Sequence, residues 1–122
     1  MDWVVSSSQA KCRELKAGEV HCWQASLAGY APLQLDEFAA SLSPAEAQRA
    51  SQFATQRLAR RYIAARGVVR RLCADYLQIE PAEVDLRLTP TGKPYIDGAA
   101  LSLSISHCND DLLLVLSRAG EV

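Results

Sequence analysis

The sequence predicts an α+β fold in which one long helix packs on an antiparallel sheet. Two patterns predict it: a stretch of helical period covers residues 43–77, and the C-terminal third alternates apolar and polar residues between turn signals. With 122 residues, 49% of them hydrophobic and 22% charged, the chain suits a single domain, 1–122, with a modest core. Residues 1–19 are polar and mixed, so we expect a loose tail with room for one short strand.

The long helix begins with a strong start signal. Ser43 suits the N-cap, Pro44 the first turn, and Glu46 the third position of a capping box. A change in the apolar phase predicts a bend between Phe53 and Gln56, and Pro81 ends the pattern. The apolar face beyond the bend has spacings of three and four and consists of Leu58, Tyr62, Ala65, Val69, Leu72 and Tyr76.

Shorter elements surround this helix. Asp36 to Leu42 indicates a short helix that Asp36 caps, and Gly29 to Pro32 indicates a loop before it. Asn109 to Asp111 indicates a hairpin turn between two strands, of which the second is predicted to be buried. The predicted strands are Val20 to Leu27, Val84 to Leu88, Tyr95 to Ile96, Leu101 to Ser106 and Leu112 to Leu116.

The net charge of −1 hides a local excess of positive charge. Residues 43–77 hold seven arginines and only two acids, Glu46 and Asp75, which leaves this segment at +5 and the rest of the chain at −6. One strongly basic helix in a nearly neutral protein favours a local anionic ligand over a nucleic-acid surface. Helical spacing predicts a basic stripe opposite the apolar face, formed by Arg49, Arg60 and Arg71 and flanked by Arg57 and Arg61.

Several classes of protein are disfavoured. No apolar run approaches the roughly 18 residues of a membrane helix, and the N-terminus has no signal-peptide pattern, so we expect no membrane partner. The four cysteines are far apart and form no Cys-x-x-Cys pair, which favours reduced thiols in a cytoplasmic protein over a metal site.

The stretch from Thr91 to His107 carries the chemistry. A glycine turn presents Lys93, and an alternating strand ends in Ser106 and His107, so these groups are suited to holding a phosphate. Each feature alone is most often structural. A small hydrolase that uses Ser106 and His107 is a weak alternative, because no acid is placed beside them and no Gly-x-Ser-x-Gly elbow is present.

The order of these motifs resembles the 4′-phosphopantetheinyl transferases of the surfactin-synthetase-activating type, over about residues 40–122. The family's Ser-Pro helix start with a phenylalanine ten residues on corresponds to Ser43-Pro44 and Phe53. A late Val-Arg pair corresponds to Val69-Arg70, the Gly-Lys-Pro motif to Gly92–Pro94, and a Phe-Asn-x-Ser-His-Ser motif to Leu103–Cys108. In that last motif Leu103, Ser104 and Cys108 depart from the family's Phe, Asn and Ser.

The resemblance implies one lobe of a pseudo-twofold, two-lobed enzyme. The family's Gly-x-Asp-x-Glu and Trp-x-x-Lys-Glu motifs do not occur up to Val122, so we expect the magnesium ligands and the missing C-terminal lobe beyond it. This chain would then hold no catalytic and no metal-binding residue, would be inactive alone, and would tend to self-associate through the apolar surface that the other lobe covers.

The resemblance also implies a reaction and a set of contacts. The parent enzyme would transfer the phosphopantetheine arm of coenzyme A to a serine of an apo carrier protein, with Mg²⁺ as the electrophile. A position near Glu46 that is often basic in the family is acidic here, which argues against that family contact. The competing class is a non-catalytic binding module. The expected coenzyme A contacts are Arg49, Arg61, Thr91, Gly92, Lys93, Pro94, Tyr95, Ile96, Ile105, Ser106 and His107.

Overall fold

The computed structural model describes residues 2–6, 15 and 18–118. In the described residues, two strands come first, three helices and a 3₁₀ turn follow, and four strands come last. In chain order the elements are β1 (Asp2–Ser6), β2 (Glu19–Ser26), α1 (Pro32–Ser41), α2 (Pro44–Ser51), α3 (Gln56–Leu77), a 3₁₀ turn (Pro81–Glu83), β3 (Leu86–Leu88), β4 (Pro94–Ile96), β5 (Leu101–Cys108) and β6 (Asp111–Arg118).

The strands form a main sheet of order β1-β2-β6-β5 and a separate two-stranded sheet, β3-β4. All pairs are antiparallel except β1 with β2, which is parallel. Within the expected loose tail, residues 2–6 therefore form a strand, and most of the remainder lies outside the described residues. The predicted α+β class, with a long helix on a largely antiparallel sheet, is confirmed.

The core lies between α3 and one face of the main sheet. Strand alternation directs every second side chain of the first part of β5 and of β6 towards the helix, β2 adds Trp23, and the buried apolar residues of α3 fill the other side. The central members are Trp23, Leu103, Leu112, Leu114 and Leu116 from the sheet and Val68, Val69, Leu72 and Cys73 from α3.

The predicted bend is a complete break between two helices. The Ser43–Glu46 capping box at the start of α2 is confirmed: Glu46 Oε1 accepts from the Ser43 amide at 2.9 Å, and Ser43 Oγ accepts from the Glu46 amide at 3.2 Å. A second cap then starts α3, because the Leu58 amide donates to Thr55 Oγ1 at 3.2 Å. The change of apolar phase is thus the place where one helix ends and another begins.

Two predicted boundaries were wrong. α1 starts at Pro32, not Asp36, because proline suits the first helical position and the Ala31 amide donates to Gln34 Oε1 at 3.0 Å. The strand predicted for Val84 to Leu88 covers only Leu86–Leu88. Val84 is buried at the end of the 3₁₀ turn, where it precedes the sheet rather than pairing in it.

Two burial predictions were also wrong. β6 was expected to be buried throughout, but its residues alternate and Leu113 on the second face is 41% exposed. On α3, Leu58 was expected on the apolar face and is 40% exposed. Burial instead deepens towards the C-terminal half of α3, where Gly67 lies so close to Phe38 of α1 that a Cβ at this position would overlap the aromatic ring.

Candidate functional site

The Gly-Lys-Pro motif forms the loop between β3 and β4. The Thr89 amide donates to the Lys93 carbonyl at 2.8 Å, and the Gly92 amide donates to the Thr89 carbonyl at 2.8 Å. Thr89 Oγ1 also accepts from the Lys93 amide at 3.0 Å and bonds Thr91 Oγ1 at 3.0 Å. Gly92 has a φ of +89°, which favours glycine. The loop is therefore internally braced.

Lys93 is exposed on this braced loop, and within residues 18–118 its ammonium group forms no ion pair. The other predicted contact residues of the segment differ in access. Thr91 and Tyr95 are exposed, Pro94 is half-buried, and the Ile96 side chain is buried in the core. Ile96 can therefore meet a ligand only through its backbone, whereas Lys93 presents a mobile positive charge.

The Ser-His pair lies at the end of β5, an edge strand of the main sheet. Ser106 is opposite Leu113 and His107 is opposite Leu112, so strand alternation sends the two side chains to opposite faces. Both residues are exposed, whereas Ile105 is half-buried against the core. A hydrolytic Ser-His pair is disfavoured by this geometry, while a ligand that lies along the sheet edge can contact both residues.

Arg61 connects α3 to the turn that follows His107. Its Nε donates to Asp110 Oδ1 at 3.1 Å, and the two side chains are 25% and 43% exposed. Asp110 is itself held in place, since its carbonyl accepts from the Leu27 amide at 2.6 Å. Arg61 is thus brought to the hairpin that carries the Ser-His end of β5, but its charge is already engaged by a carboxylate.

A pocket of about 290 Å³ opens beside this ion pair. One wall is apolar and comes from the loop after β2 and from α1, and the opposite wall carries three arginines of α3. The Tyr30 ring packs edge-on against Phe38 at 5.1 Å between centroids, and burial raises the pKa of the Tyr30 hydroxyl while Arg71 partly opposes it. The pocket is lined by Leu27, Ala28, Gly29, Tyr30, Leu35, Arg57, Arg60, Arg61 and Asp110.

Arg49 lies elsewhere, at one end of a stack in which two aromatic rings lie between two arginines. Its guanidinium is 5.1 Å from the Phe53 ring centroid, the Phe53 and Tyr62 centroids are 5.3 Å apart, and the Arg66 guanidinium is 5.5 Å from the Tyr62 ring. The predicted stripe of Arg49, Arg60 and Arg71 was wrong. Arg49 lies on α2 and the other two on α3, so the break between the helices interrupts the helical phase on which the stripe was based.

The most buried charge of the described chain, Arg70, was not among the predicted site residues. Arg70 is 1% exposed and Glu46 is 8% exposed. Their closest approach is 2.6 Å, between Arg70 Nη2 and Glu46 Oε1. The Glu46 and Val69-Arg70 motifs are therefore parts of one buried ion pair. Their separation of 24 residues gives no periodic signal that would reveal this in the sequence.

The thiols and carboxylates form no metal site in the described part of the chain, where no three His, Cys, Asp or Glu side chains come close enough to share an ion. Cys22 and Cys73 are free and buried, and Cys108 is free and exposed. Burial raises the pKa of Cys73 to about 12, so this thiol stays protonated and inert at neutral pH.

Comparison with known proteins identifies the family of this chain. The family model described as 4′-phosphopantetheinyl transferase, N-terminal, matches residues 23–119. The chain belongs to the phosphopantetheinyl transferase family. Two curated transferases agree: the 4′-phosphopantetheinyl transferase HetI of Nostoc sp. is 30% identical over 112 residues, and a phosphopantetheinyl transferase of Thraustochytrium sp. is 31% identical over 101 residues.

The chain spans less than half the length of the curated relatives it matches. The matches cover 88% and 79% of the chain but only 47% of HetI and 35% of the Thraustochytrium protein. A solved structure shares the fold with a TM-score of 0.56 at 19% identity, over 82% of this chain and 99% of its own. It is the holo-[acyl-carrier-protein] synthase of Helicobacter pylori in complex with coenzyme A.

In the described residues no helix is both long and apolar enough to cross a bilayer.

Proposed function

We propose that this chain is the N-terminal lobe of a surfactin-synthetase-activating type of phosphopantetheinyl transferase and that it contributes the coenzyme A binding surface. Membership of the transferase family supports the reaction class. The coenzyme A complex of the Helicobacter pylori synthase, which shares the fold, supports the ligand. The acceptor is then a serine of an apo acyl or peptidyl carrier protein, and the free cysteine thiols fit a reducing cytoplasm.

One observation carries the proposal: Lys93 is an exposed cation on a braced loop, and it has no ion-pair partner among the described residues. Its ammonium group can meet a phosphate without first breaking an ion pair, and the Gly92 backbone leaves open space beside it. Ser106 and His107 at the edge of β5 lie on opposite faces of the strand, so each would donate to a different part of a ligand that lies along this edge. Arg49 would add charge from the surface of α2, and Arg61 would contribute only when the ligand competes with Asp110.

In this reaction, these residues would position coenzyme A and neutralise the negative charge of its phosphates. The serine hydroxyl of the carrier attacks the phosphorus that bears the pantetheine arm, and a new P–O bond forms as the pyrophosphate bond breaks. Adenosine 3′,5′-bisphosphate leaves with the electron pair, and the serine proton passes to a base. Cations held near the adenosine phosphates stabilise the charge that accumulates on this leaving group.

In the described part of the chain, no three His, Cys, Asp or Glu side chains come close enough to hold a magnesium ion. We propose that the complete enzyme is magnesium-dependent and that its metal ligands lie outside residues 18–118. This chain alone should then fail to transfer the arm. Incubation with coenzyme A, Mg²⁺ and apo carrier proteins, followed by mass spectrometry of the carriers, would refute this if the mass of the arm appeared.

The ligand assignment is tested by an NMR titration with coenzyme A at two salt concentrations. A charge-assisted contact contributes about 1.5–3 kcal/mol in a protected site, and exposure here reduces it, so we expect millimolar to high micromolar affinity that falls as salt rises. Lys93→Ala should weaken binding about fivefold, corresponding to roughly 1 kcal/mol. Shifts should cluster at Thr91–Ile96 and Ile105–His107.

Arg71→Ala is the matched control, because Arg71 is exposed on α3 but belongs neither to the pocket lining nor to the arginine–aromatic stack. It should leave the affinity unchanged. Shifts centred on Trp23, or no shifts at millimolar coenzyme A, would refute the assignment of this surface. Sedimentation of the same samples tests the accompanying proposal of self-association, which a strict monomer at high concentration would contradict.

A further inference from the structure

The Glu46–Arg70 ion pair is too buried to touch a ligand, yet it lies between two segments of the proposed coenzyme A surface. We propose that this pair is a positioning element that sets the orientation of α2, and therefore of Arg49, relative to the β3–β4 hairpin that carries Lys93. The inference rests on the proposed function for its consequence in binding. Its structural part is independent of any ligand.

On one side the pair fixes the start of α2. Glu46 Oε1 accepts from Arg70 Nε at 2.7 Å and from the Ser43 amide at 2.9 Å, and Arg70 Nη2 lies 2.6 Å away. The same carboxylate oxygen therefore closes the capping box and receives the guanidinium of α3. Arg49 follows Glu46 by three residues, less than one helical turn, so its Cα moves with that carboxylate.

On the other side the guanidinium holds the chain that leads into β3. Arg70 Nη1 donates to the Pro81 carbonyl at 3.1 Å and to the Val84 carbonyl at 2.7 Å. These carbonyls lie at the two ends of the 3₁₀ turn, and the Leu86 amide donates back to Val84 at 2.9 Å. The planar guanidinium thus fixes both the distance and the direction from α3 to the first residue of the hairpin.

A buried ion pair of this type fixes the orientation of the segments it joins more than it stabilises the fold. Desolvating two charges is unfavourable, and well-packed apolar residues of similar volume often stabilise a fold as well as a buried ion pair does. Apolar side chains have no directional bonds, however, and would let α2 and the 3₁₀ turn settle differently against α3. Glu46 and Arg70 therefore act on a ligand through Arg49 and Lys93, as positioning residues.

The test replaces the pair with apolar residues of similar size, Glu46→Leu with Arg70→Met, in the chain as it exists. We expect the double variant to keep a cooperative unfolding transition. Residual dipolar couplings should show α2 reoriented relative to the β3–β4 hairpin without any ligand. Coenzyme A affinity should fall at least fivefold, with smaller shifts at Lys93. Arg71→Met, the same substitution at the exposed neighbouring residue, should change none of these.

Unchanged couplings in a folded double variant would overturn the proposal, whatever the affinity. Changed couplings with unchanged affinity would overturn the link to binding, and a wild-type chain that ignores coenzyme A would overturn the proposed function instead. If the double variant does not fold, Arg70→Lys gives the answer. A lysine cannot reach Glu46 and both carbonyls together, so it should shift the same couplings, and wild-type couplings in the folded lysine variant would overturn the proposal.

Discussion

Arg61 and Arg70 lie on the same helix, nine residues apart, and each pairs with a carboxylate, but their surroundings differ. Arg61 meets Asp110 at 3.1 Å with a quarter of its side chain exposed. Arg70 meets Glu46 at 2.6 Å with 2% of its side chain exposed. The first pair competes with water and can exchange its carboxylate for another anion, whereas the second has no access to an anion from solution.

The arginines of α3 therefore fall into two groups, one partly exposed to solvent and one buried. Along α3 the exposed N-terminal half carries arginines that remain available to ligands, and the buried C-terminal half carries one that holds three segments together. Counting arginines therefore overstates the positive charge that a ligand meets.

The largest contrast is expected between Arg70→Ala and Arg61→Ala in urea unfolding. Arg70→Ala leaves Glu46 buried without its partner and should lower the free energy of unfolding by about 3–5 kcal/mol. Arg61→Ala removes a partly exposed pair and should lower it by about 1 kcal/mol or less. Equal losses for the two variants would contradict the division of the helix.

The substitution Gly67→Ala tests the packing of the buried half of α3 without changing the charge of the helix. The added Cβ would overlap the Phe38 ring, so Gly67→Ala should lower the free energy of unfolding by about 1–3 kcal/mol through overpacking between α1 and α3. Arg57→Ala in the exposed half should stay within about 0.5 kcal/mol of wild type. A stabilised Gly67→Ala variant would show that the two helices separate easily.

Asp110→Asn should release Arg61 for a ligand. We expect coenzyme A affinity to rise about two- to fivefold, in line with the strength of one partly exposed ion pair, and the gain to disappear at high salt. Isothermal titration at two salt concentrations measures it. The double variant Asp110→Asn with Arg61→Ala is the control, and it should lose the gain; a gain that persists there would assign the effect to the turn rather than to Arg61.

The smallest effect is expected at the exposed pair Asp85–Arg87. The Arg87 hydrogen bond holds the pKa of the Asp85 carboxyl below its ordinary value. A depressed folded-state pKa gives stability that is present above the unfolded value of about 3.9 and is lost as pH falls through the folded value. Asp85→Asn should therefore flatten thermal stability against pH in this acidic range, and an unchanged curve would show that the pair contributes nothing.

Much of the fold was predictable because its signals are local. The strand β2, the alternation in β5 and β6, the turn at Asn109, and the Ser43–Glu46 capping box each depend on residues close in the chain, and each is confirmed. The rough alternation predicted for β2 is not seen, because burial is continuous from Val20 to Trp23. The break after α2 appeared in the sequence only as a bend, because the Thr55 cap carries no strong pattern of its own.

The candidate site was less predictable because burial and pairing depend on contacts between distant residues. Sequence separation hides that Arg70 faces Glu46 and that Arg61 faces Asp110, 49 residues on. It also hides that Arg49 packs on Phe53 and Arg66 on Tyr62, so that two neighbouring rings connect the arginines. The assignment of coenzyme A contacts to the Gly-Lys-Pro loop and the Ser-His strand end stays a prediction.

The contact between Trp23 and Tyr76 makes the tryptophan fluorescence a probe of the packing of α3 on β2. The Trp23 indole is 1% exposed, and its N–H donates at 2.9 Å to the Tyr76 hydroxyl, which also lies 2.5 Å from His21 Nδ1. Fluorescence from this indole should be blue-shifted while the C-terminal end of α3 rests on β2, and it should move to longer wavelength when they separate. A Trp3→Phe background would leave Trp23 as the single fluorophore of its kind.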